Sequence, residues 1–158
     1  MTTFGDSSID IECFNKILEI LPKNKTILEF GSGEVTEEFR KYYQIFSIEH
    51  DINWIKNNET YIHAPLKPLN NKPNIIWYDV DILKNNLPND YDLILIDGPI
   101  AWTNKNGGRF GFYYNLNLFN LDDVIIVFDD IQRNWDMEHM ILVANKLKRN
   151  YKTYNNKN

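Results

Sequence analysis

Cysteine is almost absent from this chain. Cys13 stands alone, which excludes an internal disulfide and any metal site built from several cysteines. No apolar run approaches the roughly 20 residues needed to span a bilayer, and no N-terminal secretory pattern is visible. These absences lead us to expect a soluble, cytoplasmic protein with no membrane partner. Positive charge is also short, with 17 Lys and Arg against 22 Asp and Glu, a formal net charge of −5. A nucleic-acid backbone as main partner would ask for a basic face, so we expect no nucleic-acid partner. Repeats and linkers are missing as well, and the 158 residues are read as one domain with one core. The 43% hydrophobic and 14% aromatic content suits a compact globular chain.

Against that background one segment stands out. In Thr26-Ile27-Leu28-Glu29-Phe30-Gly31-Ser32-Gly33 a β-prone apolar run breaks into two glycines one residue apart, and a helical pattern follows from Glu34. Glycines at a strand-to-helix turn let the backbone approach a ligand at angles a Cβ would forbid. The next strand-like run to end in an acid is Ile45-Phe46-Ser47-Ile48-Glu49, the spacing at which a βαβ unit offers a carboxylate to a ribose. A pyrophosphate site would want a third glycine in G-x-G-x-x-G. Here Thr36 stands in that place, and Glu34 sets a negative charge where phosphates would lie. A ligand without phosphate fits better; an ordinary Gly-rich turn with no ligand is the alternative.

Strands are expected at Thr26–Phe30, Gln44–Ile48, Tyr91–Ile96 and Val124–Phe128, the last two with the continuous apolarity of strands buried on both faces. Between the second and fourth of a parallel set, Tyr61–Ala64 and Ile75–Tyr78 both read as strands, and Tyr61–Ala64 is favoured as the third. Helical spacing marks Phe14–Leu21, Val35–Tyr43 and Asp136–Lys148, with a short helix at Asn53–Asn57. On the last long helix, Met137, Met140, Ile141, Ala144 and Leu147 form the expected buried face, which leaves His139 on its surface. Strands alternating with helices imply an α/β, doubly wound, mainly parallel Rossmann-like sheet. It is shortened at its C-terminal edge, where only a short strand at Tyr151–Tyr154 is expected. A homodimer, or neighbouring domains of a longer chain, would cover that edge.

Ligands of such sheets bind beyond the carboxyl ends of the strands. There the fourth strand ends in Asp97-Gly98-Pro99 and the fifth in Asp129-Asp130-Ile131-Gln132-Arg133, with Gly107-Gly108-Arg109-Phe110 between them. Three carboxylates at adjacent tips call for a cation or a proton, and oxygen-only donors suit Mg²⁺, Mn²⁺ or Ca²⁺. Equally, Asp129 or Asp130 could cap the helix that follows.

Glu29-x-Gly31-x-Gly33 resembles motif I of the class I S-adenosylmethionine-dependent methyltransferases. Asp97-Gly98-Pro99, Gly108-Arg109 and Asp130-x-x-Arg133 with Glu138 beyond resemble the sugar and polysaccharide O-methyltransferases. These include the glucuronoxylan 4-O-methyltransferases of plants and small bacterial or viral enzymes of glycan clusters. Glu49-His50 and Trp77-Tyr78-Asp79 are similar to the bacterial members, and the similarity runs from about Thr26 to Lys148. The resemblance implies a single S-adenosylmethionine-dependent O-methyltransferase domain, residues 1–158, acting on a hydroxyl of a sugar or glycan.

In that family frame Glu29, Gly31, Ser32 and Gly33 meet the methionine part of the cofactor and Glu49 the ribose. His50, Ala64 and Pro65 lie around the adenine, with Asp79 as an alternative. More distant macrolide and aminocoumarin enzymes imply a divalent cation, Mg²⁺ or Mn²⁺, on Asp97, Asp129 and Asp130; the plant xylan enzymes depart with a histidine where Asp129 stands. Asp97 acts as metal ligand or as base, and His63 is a second candidate base. Arg109 and Arg133 could clamp an anionic acceptor or pair internally, and Trp102 offers a face to a sugar ring. Two alternatives remain: a catalytically silent partner domain of a glycan-synthesis protein, and a metal-dependent small-molecule O-methyltransferase. The tip of the fourth strand lacks the Pro-Pro-aromatic ending of amino-methyltransferases.

Overall fold

A computed structural model describes residues 9–100 and 108–154. Its elements run α1 (Ile11–Ile20), β1 (Thr26–Phe30), α2 (Glu34–Phe39), β2 (Gln44–Glu49), β3 (Tyr61–His63), β4 (Leu66–Leu69), β5 (Lys72–Tyr78) and α3 (Val80–Asn86). After them come β6 (Leu93–Ile96), α4 (Gly111–Tyr114), β7 (Ile125–Phe128) and α5 (Asn134–Leu147). Five strands form one sheet in the order β3-β2-β1-β6-β7, and every pairing in it is parallel. The fold is α/β, a parallel sheet with flanking helices, compatible with a Rossmann-like arrangement. No helix among the described residues is long and apolar enough to cross a membrane.

The period-2 alternation of β1 divides the core. Leu28 and Phe30 face one side with Ile48, Ile62, Ile94 and Ile96, beneath Trp77, Tyr78, Leu83, Phe112 and Val143. Ile27 faces the other with Ile45, Leu93 and Leu95, beneath Phe14, Ile17, Val35 and Phe39 of α1 and α2. All four residues of β6 are buried, as expected of a central parallel strand covered on both faces.

Tyr61–His63 is the third parallel strand, as favoured above. The later run belongs to an antiparallel ribbon, β4 with β5, which forms a sheet of its own. This ribbon carries Pro68 and Pro73, which a two-stranded ribbon tolerates and a central strand would not. α2 is shorter than its pattern suggests, ending at Phe39, and the short helix is a 3-10 turn at Ile52–Trp54. Tyr151–Tyr154 forms no strand.

The largest departure is α5. Its buried face is Asp136, His139, Met140, Val143 and Ala144, so His139 is a core residue, not a surface one. Its ring stacks on Phe110 at 5.0 Å and meets Phe128 edge-on at 5.2 Å. Both ring nitrogens lack a hydrogen-bond partner. Burial, helped by Arg109, pushes its pKa down to about 3. The unfolded chain therefore binds the proton first, and stability is lost as pH falls from 6.5 towards 3. His139→Leu removes two unsatisfied buried nitrogens and is expected to raise stability by about 1–3 kcal/mol. The gain in thermal melts should be larger at about pH 5 than at pH 8; an equal or lower melting point at pH 5 would refute it.

Candidate functional site

The sheet order reverses between β1 and β6, because the chain leaves β1 to build β2 and β3 on one side and returns to lay β6 on the other. Crevices at such switch points are where α/β sheets bind ligands. Gly31 lies there with φ +83°, and a Cβ on Gly98 would sit 2.8 Å from the Gly31 nitrogen and 2.5 Å from the Tyr78 hydroxyl. Glycine is required at both positions: at Gly31 by the left-handed angle, at Gly98 by space. The Tyr78 hydroxyl is buried and has no hydrogen-bond partner.

Two carboxylates brace the turn. Glu29 is buried and accepts from Thr36 Oγ1 at 2.7 Å and Ser47 Oγ at 2.5 Å. Thr36 Oγ1 in turn accepts from the Gly33 N–H at 3.0 Å, so Glu29 supports the loop from beneath. Burial lifts its pKa to about 7 despite the two hydroxyl donors. Glu49 accepts from the Ser32 N–H at 2.8 Å and Ser32 Oγ at 3.0 Å through one oxygen. Its other oxygen takes the N–H groups of His50 and Asp51 at 2.7 and 2.8 Å, and the His50 Nδ1 lies 3.0 Å from it, an ion pair when the ring is protonated. Burial works to raise its pKa, but the donors from His50, Asp51 and Ser32 outweigh it and hold the carboxylate below its usual range.

Around this corner the neighbouring strand tips bring further residues together. His63 Nε2 is 3.2 Å from the His50 carbonyl, and the Ala64 N–H donates to the Glu49 carbonyl at 2.9 Å. Asp79 lies past the end of β5, where its N–H donates to the Pro65 carbonyl at 2.9 Å. Its side chain caps α3 through the N–H groups of Asp81 and Ile82 and pairs with Lys67. That carboxylate is therefore committed to structure.

At the tips of β6 and β7, one carboxylate oxygen each from Asp97, Asp129 and Asp130 come within 4.8 Å of one another. Neither Asp129 nor Asp130 caps α5, whose N-cap is Arg133 with no side-chain cap bond. Asp130 adopts φ 61°, a left-handed angle that costs a non-glycine residue about 1 kcal/mol. Burial, reinforced by Asp129, drives the Asp97 pKa well above the carboxylate range. Burial and Asp130 raise Asp129 to about 6.

Arg109 is the hub of this cluster. It is only 6% exposed, and its guanidinium donates to the Asp97 carbonyl at 2.6 Å, the Asp129 carbonyl at 3.3 Å and the Asp130 carboxylate at 3.0 Å. It also lies 3.5 Å from Asp97 Oδ1 and 3.9 Å from Asp136. Of its two expected roles, acceptor clamp or internal partner, the geometry gives the second. Arg133 likewise pairs with Asp130 at 3.0 Å and with Asp136 at 3.7 Å. Trp102 lies outside the described residues.

Asp136 was not foreseen as part of this site. It is buried, and its pKa rises to about 6 through burial, opposed by Arg109 and Arg133. Its three-residue spacing from Arg133 on a helix start was the one available signal.

Compared with known proteins, the chain matches no family model, no curated protein and no solved structure. Its site has to speak through its own geometry.

Proposed function

We propose that this chain is an S-adenosylmethionine-dependent O-methyltransferase that acts on a sugar or glycan hydroxyl. One observation carries the reading. The glycine turn after β1, the acid ending β2 and the Asp97–Asp129–Asp130 cluster all stand at the carboxyl end of one parallel sheet, on both sides of its switch point. A donor pocket and an acceptor site are then adjacent, as an in-line displacement needs.

The residues present fit such a cofactor. The left-handed Gly31, with the unpartnered Tyr78 hydroxyl beside it, marks a place where a polar ligand can approach backbone. Glu49 would hold the ribose hydroxyls of such a cofactor, in place of the Ser32 Oγ bond it accepts now. The acceptor hydroxyl must lose its proton as its oxygen attacks the methyl carbon, the carbon–sulfur bond breaks and the sulfur keeps the electron pair. Asp97 is the group we assign to take that proton, since burial and its acidic neighbours raise its proton affinity. Arg109 holds the tips of β6 and β7 together and offsets part of their charge. The all-oxygen donor set also fits Mg²⁺ or Mn²⁺ on Asp97, Asp129 and Asp130, where a cation would lower the hydroxyl pKa.

A silent partner domain is the second reading, favoured by one observation: every oxygen of Glu49 already has protein donors. Thermal melting with S-adenosylhomocysteine separates the two. At 100-fold above the dissociation constant a ligand adds about 2.7 kcal/mol, a rise of roughly 5–10 °C for a chain this size. The rise should vanish in Glu49→Ala, each variant being compared with its own melt without ligand. No rise in the parent protein would leave the silent reading standing.

A further inference from the structure

The two edges of the main sheet are unlike. β3 has three residues and runs into Pro65 two positions later, which blunts that edge. β7 reads Ile-Ile-Val-Phe, lacks proline, lysine or a bulge, and leaves Ile125 37% exposed. Its outer side opens on a groove lined by α1, α5 and residues 149–152 with Tyr154. Tyr154 sits under the Lys16 ammonium, 4.6 Å from its ring centre, instead of joining the sheet.

The hydrogen bonding gives the edge a register. The N–H groups of Ile125 and Asp129 donate inward to the Asp92 and Ile96 carbonyls at 3.0 and 3.1 Å. Alternation then turns the N–H and C=O of Ile126 and Phe128 outward. The Val124 carbonyl also points out, but Arg149 Nη1 takes it at 2.8 Å. The groove is charged unequally along its length. Asp10, which acts on Asp129, and Glu12 stand at the first turn of α1 and line it with Asp129 and Asp130 from the carboxyl end of β7. Arg149, on the Val124 carbonyl at the start of the strand, and Lys152 three residues later line it as well. Asp122 and Asp123 precede the strand without lining the groove, and Lys16 in its middle is paired with Glu19.

We propose that β7 pairs antiparallel with β7 of a second copy of this chain across a two-fold axis at Val127. Ile126 of each copy then faces Phe128 of the other, using the outward groups on both. The same rotation lays the acidic end of one groove on the basic end of the other, so the surface is complementary to itself. Two five-stranded sheets become one, and the basic end of the second copy arrives beside the Asp129–Asp130 tip.

Sedimentation equilibrium on the full chain at low salt tests this. A dimer is expected, weakened by high salt, and weakened about tenfold or more by Ile126→Pro, since an edge strand tolerates proline while losing its outward N–H. Lys152→Glu and Glu12→Lys, both at exposed positions, should each weaken it several-fold, and together restore it. If Ile126→Pro fails to fold by circular dichroism, this charge swap decides. A protein that stays monomeric at high micromolar concentration, as it would if the edge serves another protein, overturns the proposal. So does a dimer indifferent to these changes.

Discussion

Under the proposed reading, Asp97→Asn is expected to lower methyl transfer by about 100- to 1,000-fold, the usual cost of losing a general base, and on any reading to make the folded protein harder to melt at alkaline pH. Asparagine keeps the shape of the side chain but cannot accept the acceptor's proton. The strongest Arg109 bond at this residue goes to the Asp97 carbonyl at 2.6 Å, and the substitution leaves it intact. What disappears is a buried negative charge close to Asp129 and Asp130, which repel it. The folded state binds the Asp97 proton more tightly than the unfolded chain does, so its share of stability is lost as pH rises. Removing the group removes that loss. Rates against a panel of nucleotide sugars and glycosides, with melts of both proteins, give the two readings. An undiminished rate would take Asp97 out of the chemistry, and a lower melting point would make its carboxylate a structural group.

Acidification should stabilise this protein well below neutrality. Glu29 has a pKa of about 7 when folded against 4.5 as the ordinary value. Its contribution grows as pH falls through 7 towards 4.5, by on the order of 3 kcal/mol at 1.36 kcal/mol per unit. Asp129 and Asp136, both raised from 3.8 to about 6, act in the same direction over the window from 6 to 3.8. Asp97 does too. His50, raised chiefly by its bond to Glu49, is likewise more favourable when protonated. His139 opposes them below its ordinary 6.5. Glu49, held low, stays ionised across the window. The groups with stated values favour about pH 5.5 over pH 8 by roughly 2 kcal/mol, on the order of 4–9 °C in melting temperature, and Asp97 and His50 act in the same direction. Glu29→Gln should flatten the profile between pH 8 and 6. Millimolar Mg²⁺ should recover part of the difference at pH 8 and none at pH 5.5, because protons then hold the same oxygens. A melting point that falls steadily from pH 8 to 5.5 would contradict the raised carboxyls.

β6 was the most legible strand because its apolar run is buried at every residue, whereas the third strand had to be chosen between Tyr61–Ala64 and Ile75–Tyr78, which read alike. Of the β4–β5 ribbon, Ile75–Tyr78 was legible as a strand; its partner Leu66–Leu69 and their antiparallel pairing were not, since Pro65, Pro68 and Pro73 read as breaks that a two-stranded ribbon tolerates. At the site, Gly31, Glu49, Asp97, Asp129 and Asp130 were visible as glycines or acids at strand ends. Arg109 was named, but nothing in Gly107-Gly108-Arg109 tells a buried hub from an exposed clamp. That difference is made by three backbone and side-chain acceptors contributed from β6 and β7, far away in sequence. The face of α5 was misjudged for a related reason. Polarity suggested that Asp136 and His139 would turn outward, but Arg109 draws Asp136 inward and the rings of Phe110, Phe112 and Phe128 enclose His139.

At Gly111, α4 begins directly against the face of the Trp77 indole, where any Cβ would overlap the ring. Helix and ribbon are thus joined by a pair of residues that cannot drift independently. Chains descended from a common ancestor with this one can change the ribbon, its turn and most of their surface. So long as they keep this packing, they must inherit glycine at the position of Gly111 for as long as tryptophan stands at that of Trp77. Gly31 and Gly98 carry the same kind of constraint, since a Cβ at either meets strain or backbone.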